Sequence, residues 1–245
     1  MTGSRLYVRA GQAYEEAGLP LDALRCYRAA GAHRQAADLL VGMGDHEGAV
    51  GEYEQAGVLE IAGWIAVHHL ASPAKARGMV AHLEAAAEQD PLGDGHVSPF
   101  TLPHRPAPRR DDSPSSLRAL TLRYRLVVAR CDLAEGGSTR AILPLLAEVS
   151  AVLSEPEAAY DRFAEEWAVA VAECAGRHDQ VALLFAASVR GYRLGAAQRW
   201  QEWARRVQGT ELSIPSTHAL GTLGSVLEGV PLSAQGRFQR PEHSG

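Results

Sequence analysis

The chain has 245 residues, 46% of them hydrophobic, enough to bury a sizeable core in one elongated domain or two small ones. Its formal charge of −5 and pI near 6.1 disfavour wholesale binding to nucleic acid or to an anionic membrane, since either would call for a basic excess. No apolar run is long enough to span a bilayer, and no signal-peptide pattern opens the sequence.

The N-terminal part repeats. Gly18, Gly31, Gly44 and Gly57 stand thirteen residues apart. Five residues after each glycine stand Ala23, Ala36, Ala49 and Ala62; nine after stand Tyr27, Leu40, Tyr53 and Ala66; twelve after stand Ala30, Met43 and Ala56, with His69 breaking the column. One step back gives Ala10, Tyr14 and Ala17. Residues at i, i+4 and i+7 share one helical stripe, and a glycine just past it supplies the left-handed position that ends a helix at little steric cost. Pro20 suits a first helical turn, and Asp45 suits an N-cap. Thirteen residues less a turn leave a helix about 14 Å long. A helix that short needs neighbours to cover its stripe, so stacked antiparallel hairpins are expected.

Further along, Ser72-Pro73 reads as the N-cap and first residue of a longer helix. From 90 to 116 the pattern gives way to a proline-rich, polar stretch read as a linker or long loop. Helical pattern resumes at Leu117 and continues in five segments: 117–137, a second started or kinked by Pro144, a third from Pro156 to Gly176, a fourth after an Asp179 cap, and a fifth from Ala196. Tyr160, Phe163, Trp167, Val171 and Cys174 fall on one face of the third. After Gln208 the sequence is mixed: a weak amphipathic stretch, STHALGTLGSVLEG, precedes a frayed tail. The organisation expected is all-α: short-helix repeats over 1–89, a proline-rich segment over 90–116, longer helical hairpins over 117–208 and a weakly structured 209–245.

The A-x-x-x-Y-x-x-A-G units over about residues 6 to 70 resemble tetratricopeptide-like α-solenoids, and most of all the short-helix solenoids that follow β-propellers in vesicle-coat and intraflagellar-transport subunits. Two units here span 26 residues, against 34 for a tetratricopeptide pair. The resemblance implies an α-solenoid in two blocks, acting as a scaffold or adaptor with no catalytic residues to carry over.

Reactive constellations are sparse. HExxH, GxxxxGK[ST] and GxSxG are absent. His68 and His69 are adjacent and so point to different azimuths, and His46-Glu47 and His178-Asp179 sit in turns. Cys26, Cys131 and Cys174 lie far apart within apolar patterns and are expected as buried thiols of a reducing, cytoplasmic compartment. Lys75 is the single lysine among the 24 basic residues, a bias that points to GC-rich bacterial coding. No catalytic residue, metal or cofactor is expected.

One surface-like cluster stands out, VRGYRLGAAQRWQEWARR, in which Arg190, Arg193, Arg199, Arg205 and Arg206 alternate with Tyr192, Trp200 and Trp203. Such a mixture suits a protein-interface hot spot, stacking and phosphate contact on single-stranded nucleic acid, or a terminal cap helix with its indoles turned inward. One indole inward and one partly exposed is the arrangement expected. The function read from these features is a non-catalytic protein-interaction scaffold, part of a bacterial multi-protein assembly. The alternatives are a nucleic-acid-associated regulator using helix 190–206, and an accessory subunit of an ATPase or enzyme whose activity lies in another chain.

Overall fold

The computed structural model describes residues 2–88, 114–158, 160–210 and 212–213, and every regular element among them is an α-helix. The chain forms two compact units, residues 1–138 and 139–245. Most of the proline-rich stretch and the STHALGTLGSVLEG segment lie outside the described residues.

The first unit contains α1 (Thr2–Glu16), α2 (Pro20–Ala29), α3 (His33–Gly42), α4 (His46–Ala56), α5 (Leu59–His68), α6 (Pro73–Glu88) and α7 (Pro114–Ala134). Each of α1 to α4 ends within two residues of its glycine, as the thirteen-residue spacing predicts. Gly18, Gly31, Gly44 and Gly57 all have φ between 67° and 79°. At each, the glycine N–H and the next N–H donate back to carbonyls of the last turn: Gly31 to Arg28 and Ala32 to Tyr27, for example. This left-handed closure satisfies carbonyls that the helix itself cannot. Starts are fixed by local chemistry too. Pro20 and Pro73 sit in first turns, and the Asp45 carboxylate accepts from the Gly48 N–H at 2.9 Å.

Consecutive helices of this unit pack together in chain order. The columns five and nine after each glycine are the buried ones: Ala23, Ala36, Ala49 and Ala62 have no exposure, and Tyr27, Leu40 and Tyr53 have almost none. The position six after joins them as Leu24, Ala37 and Val50. The twelfth column does not. Ala30 and Ala56 are half-buried and Met43 is exposed: the position falls at the very end of each helix, as the C-cap in α2 and α3 and as the last residue of α4. The two buried tyrosines of the stripe also reach a carboxylate on the preceding helix: Tyr27 donates to Glu15 at 2.8 Å and Tyr53 to Asp38 at 2.5 Å. Burial, reinforced by Glu15, pushes the Tyr27 hydroxyl up to about 12.

α5 is apolar nearly all round, with Ile61 to Val67 buried, so it occupies the centre against α4, α6 and α7. α7 starts at Pro114, three residues before the sequence pattern resumes, and lays Leu122, Leu126, Val127 and Cys131 into the same core. Arg77 of α6 clasps its far end, donating to Asp132 at 2.5 Å and Glu135 at 2.7 Å. The division between units therefore falls after Ser138, where the sequence reading had placed it in the 90–116 segment.

The second unit contains α8 (Leu143–Ser154), α9 (Arg162–Cys174), α10 (His178–Arg190) and α11 (Ala196–Gln208). Pro144 starts α8 rather than kinking it. α9 begins later than the sequence suggests, because Asp161 caps it by accepting from the Phe163 N–H. Tyr160 thus precedes the helix and is partly exposed with Phe163, while Trp167 and Val171 are buried. Asp179 is not a cap. It lies in the first turn of α10 and pairs with Arg177 at 2.7 Å. Of the three thiols, Cys131 alone is buried, which raises it to about 11; Cys26 sits beside the buried stripe, and Cys174 at the end of α9 is exposed.

Replacing Ala36 or Ala49 with leucine should overpack a helix crossing and cost about 1–3 kcal/mol in chemical denaturation. Unchanged stability would show that those helices do not approach closely.

Candidate functional site

The Arg/Trp cluster spans the end of α10, the turn 191–195 and α11. Within it, both indoles face inward. Trp200 and Trp203 are buried, stacked on each other with ring centroids 5.3 Å apart. Trp200 Nε1 donates to the Leu212 and Ser213 carbonyls, and Trp203 Nε1 to Glu173 at 2.5 Å. The expectation of one partly exposed indole is therefore corrected. At i and i+3 the two rings share a stripe, and α11 has its apolar positions on that stripe alone, so covering one covers both.

The arginines divide by task. Arg206 pairs with Glu173 at 2.7 Å while remaining largely in solvent, and Arg190 and Arg205 lie on the exposed side. Arg199 donates to both oxygens of Glu165, at 2.8 and 2.9 Å, and to the Leu194 carbonyl at 2.7 Å. Glu165 is almost fully buried, so this ion pair and the Tyr160 hydroxyl, which also donates to Glu165, are what make its charge tolerable there. Burial and that hydrogen bond raise Tyr160 above its ordinary value. Arg193 reaches four carbonyls at the end of α8: Leu153 at 3.1 Å, Ala158 at 3.0 Å, Val152 at 3.2 Å and Glu155 at 2.6 Å. A guanidinium there satisfies acceptors the helix leaves open and complements its negative end. Its cationic carbon also lies 5.4 Å from the Tyr160 ring centre.

These contacts fix the turn Gly191-Tyr192-Arg193-Leu194-Gly195. Gly191 is buried against α8, where a Cβ would come within 1.9 Å of the Leu153 carbonyl oxygen. Tyr192 N–H donates to Val189 and Arg193 N–H to Ser188, the same closure that ends the helices of the first unit. At the equivalent position those helices have glycine, as do α7 with Gly136 and α9 with Gly176. α10 has a tyrosine, held at φ 56°. Placing a bulky L-residue in the left-handed region costs about 1–2 kcal/mol. The ring stays in solvent: Tyr192 is 86% exposed and Leu194 is 92% exposed. Leu194 was not singled out by the sequence pattern, although a leucine in a turn between two helices was the available signal.

Beside the turn, a groove of about 400 Å³ between α9 and α11 has a floor that includes Val169 and Phe185. Glu165, Glu166, Glu173 and Glu202 line it with Arg199 and Arg206, so carboxylates outnumber guanidinium groups. Neither that balance nor the buried indoles suits a phosphate backbone with bases stacked on aromatic rings. Elsewhere, His46 and His69 stack at 4.2 Å, and burial, with His46 next to it, holds His69 below its ordinary value. Among the described residues no group of three or more His, Cys, Asp or Glu side chains could hold a metal ion.

Gly191→Ala should force α10 away from α8 and cost at least about 2 kcal/mol, measured by denaturant unfolding. Trp203→Ala should cost about 3–5 kcal/mol, as for a core aromatic; near-native stability would mean the indole is not buried in solution. No protein-family model, curated protein or solved structure matches the chain.

Proposed function

We propose that the protein is a non-catalytic interaction scaffold, an α-solenoid of the tetratricopeptide-like kind, whose 191–195 turn engages a partner protein. The observation that carries this reading is the strained, uncovered tyrosine. A helix end that would close more easily with glycine has Tyr192 instead, and its ring is left 86% exposed. Strain retained without an internal return points to use of the side chain outside the molecule. The turn is also held in place beforehand, by Gly191 on Leu153, by Arg193 on the α8 carbonyls and by Arg199 on Leu194. A rigid display of one aromatic and one aliphatic side chain loses little entropy on association, which suits a hot spot. The thirteen-residue stacking of α1 to α4 and its likeness to short-helix solenoids support the scaffold role. Membership of a larger bacterial assembly, including one with an ATPase subunit, is consistent with such a role. A nucleic-acid function has less support, for the reasons of charge and burial given above.

Tyr192→Gly separates fold from function. Stability should hold or rise by up to about 1 kcal/mol as the left-handed strain is relieved. Affinity for the partner, identified by capture from the native host and then measured with purified components, should fall by about 2 kcal/mol or more, with Leu194→Ser doing the same. Undiminished affinity in both variants would exclude the turn as the contact.

A further inference from the structure

The groove between α9 and α11 is a second surface, and what fills it does not depend on the 191–195 turn. Arg199 meets Glu165 at one end of the groove, and Arg206 and Trp203 meet Glu173 at the other. These pairs set the start of α9 against the start of α11, so the two helices run side by side in the same direction, with α10 packed against both. Between the bridges Val169 and Ala170 of α9, Phe185 of α10 and Trp203 of α11 make an apolar floor. The rims are acidic. On α11, Glu202 accepts from Gln198 at 2.9 Å and has no ion pair among the described residues. On α9, Glu166 pairs with Arg162 four residues earlier, which is itself 70% exposed, and a surface pair of that kind contributes little.

Chain path and charge select the occupant. After α11 the chain folds back along it, so that the Leu212 and Ser213 carbonyls accept from Trp200 Nε1. Trp200 in turn stacks on Trp203 of the floor at 5.3 Å and lies 5.7 Å from the Phe185 ring. The rest of the chain, which lies outside the described residues, therefore departs beside the groove. After Gln208 the sequence has two arginines, no lysine, and one phenylalanine with no tyrosine or tryptophan; they fall together as Arg237-Phe238-Gln239-Arg240. An aromatic ring between two guanidinium groups is the complement of an apolar floor between two carboxylates. The stretch from Ser213 to Arg237 is more than long enough, since extended chain covers about 3.3–3.6 Å per residue. Tethering also raises the segment's effective concentration to about the millimolar range, so a modest contact suffices. We infer that the groove is a docking site for Arg237-Phe238-Gln239-Arg240 of the same chain, with Phe238 on the apolar floor and the arginines at Glu166 and Glu202. A partner protein has to displace that segment before it can use the groove.

The test uses the full chain and a labelled peptide with the sequence of residues 235–242, QGRFQRPE, read by fluorescence anisotropy at low and high salt. In the wild type the resident segment competes, so the peptide should bind weakly. The full chain with Arg237→Glu, Phe238→Ser and Arg240→Glu leaves the groove open. It should bind the peptide about tenfold more tightly or better, and less tightly as salt rises. Adding Glu202→Arg to that chain should abolish the gain, with circular dichroism to confirm folding; Glu202→Gln serves if the reversal disturbs α11. No binding to the triple variant overturns the proposal. So does equal binding to both chains, which would leave the groove to a basic segment of another protein. Binding indifferent to Glu202 sets the peptide elsewhere and overturns it as well.

Discussion

A helix of ten residues has too few hydrogen bonds to persist in water by itself, so everything in the first unit follows from how its short helices cover one another. Alanine five residues after each glycine removes the bulk that would keep helix axes apart, and the aromatic or leucine four residues later fills the remaining space. The tyrosines add direction to that packing. Their hydroxyls need a partner once buried, and they find Glu15 and Asp38 on the preceding helix, which sets register as well as contact. Arg28 and His33 do the same from the polar side by converging on Glu52, whose carboxyl they hold below its ordinary value against the upward push of burial.

The second unit solves a different problem, because α8 joins α9, and α10 joins α11, through longer turns than those between α2, α3 and α4. α8 ends without a glycine closure of its own, and its carbonyls are completed from elsewhere in the unit by Arg193. That arginine can reach them only because Gly191 lets the end of α10 lie directly on Leu153. The same turn that completes α8 therefore has its neighbours Tyr192 and Leu194 aimed outward. Stability and display are coupled there through one side chain.

Local chemistry made much of this fold legible. Helix ends at the four glycines, the starts at Pro20, Pro73 and Pro144, and the Asp45 cap all depend on backbone geometry within a few residues, which a linear pattern encodes directly. The buried alanine and tyrosine columns were legible for the same reason. The twelfth column is less buried than its azimuth implies, because periodicity assigns an azimuth but does not register that these residues stand at the ends of their own helices.

Composition marked the candidate site, since arginine beside tryptophan and tyrosine singles out residues 190–206 without reference to structure. It left the orientation of each side chain open. Whether an arginine faces solvent, a carboxylate or a helix end depends on groups 30 to 40 residues away, such as Glu165, Glu173 and Leu153. Only folding brings these together. Tyr192 shows the limit most clearly. The sequence by itself determined that the first unit repeats every thirteen residues and that the regular elements are helices. Its pattern runs the helix after Asp179 on through Gly191 to Leu194, where α10 in fact ends at Arg190. Tertiary structure decided that Gly191 is held against α8 and that the left-handed position falls on the tyrosine. The physical reason is that steric fit between distant segments fixed where α10 ends, and backbone preference then yielded by one residue.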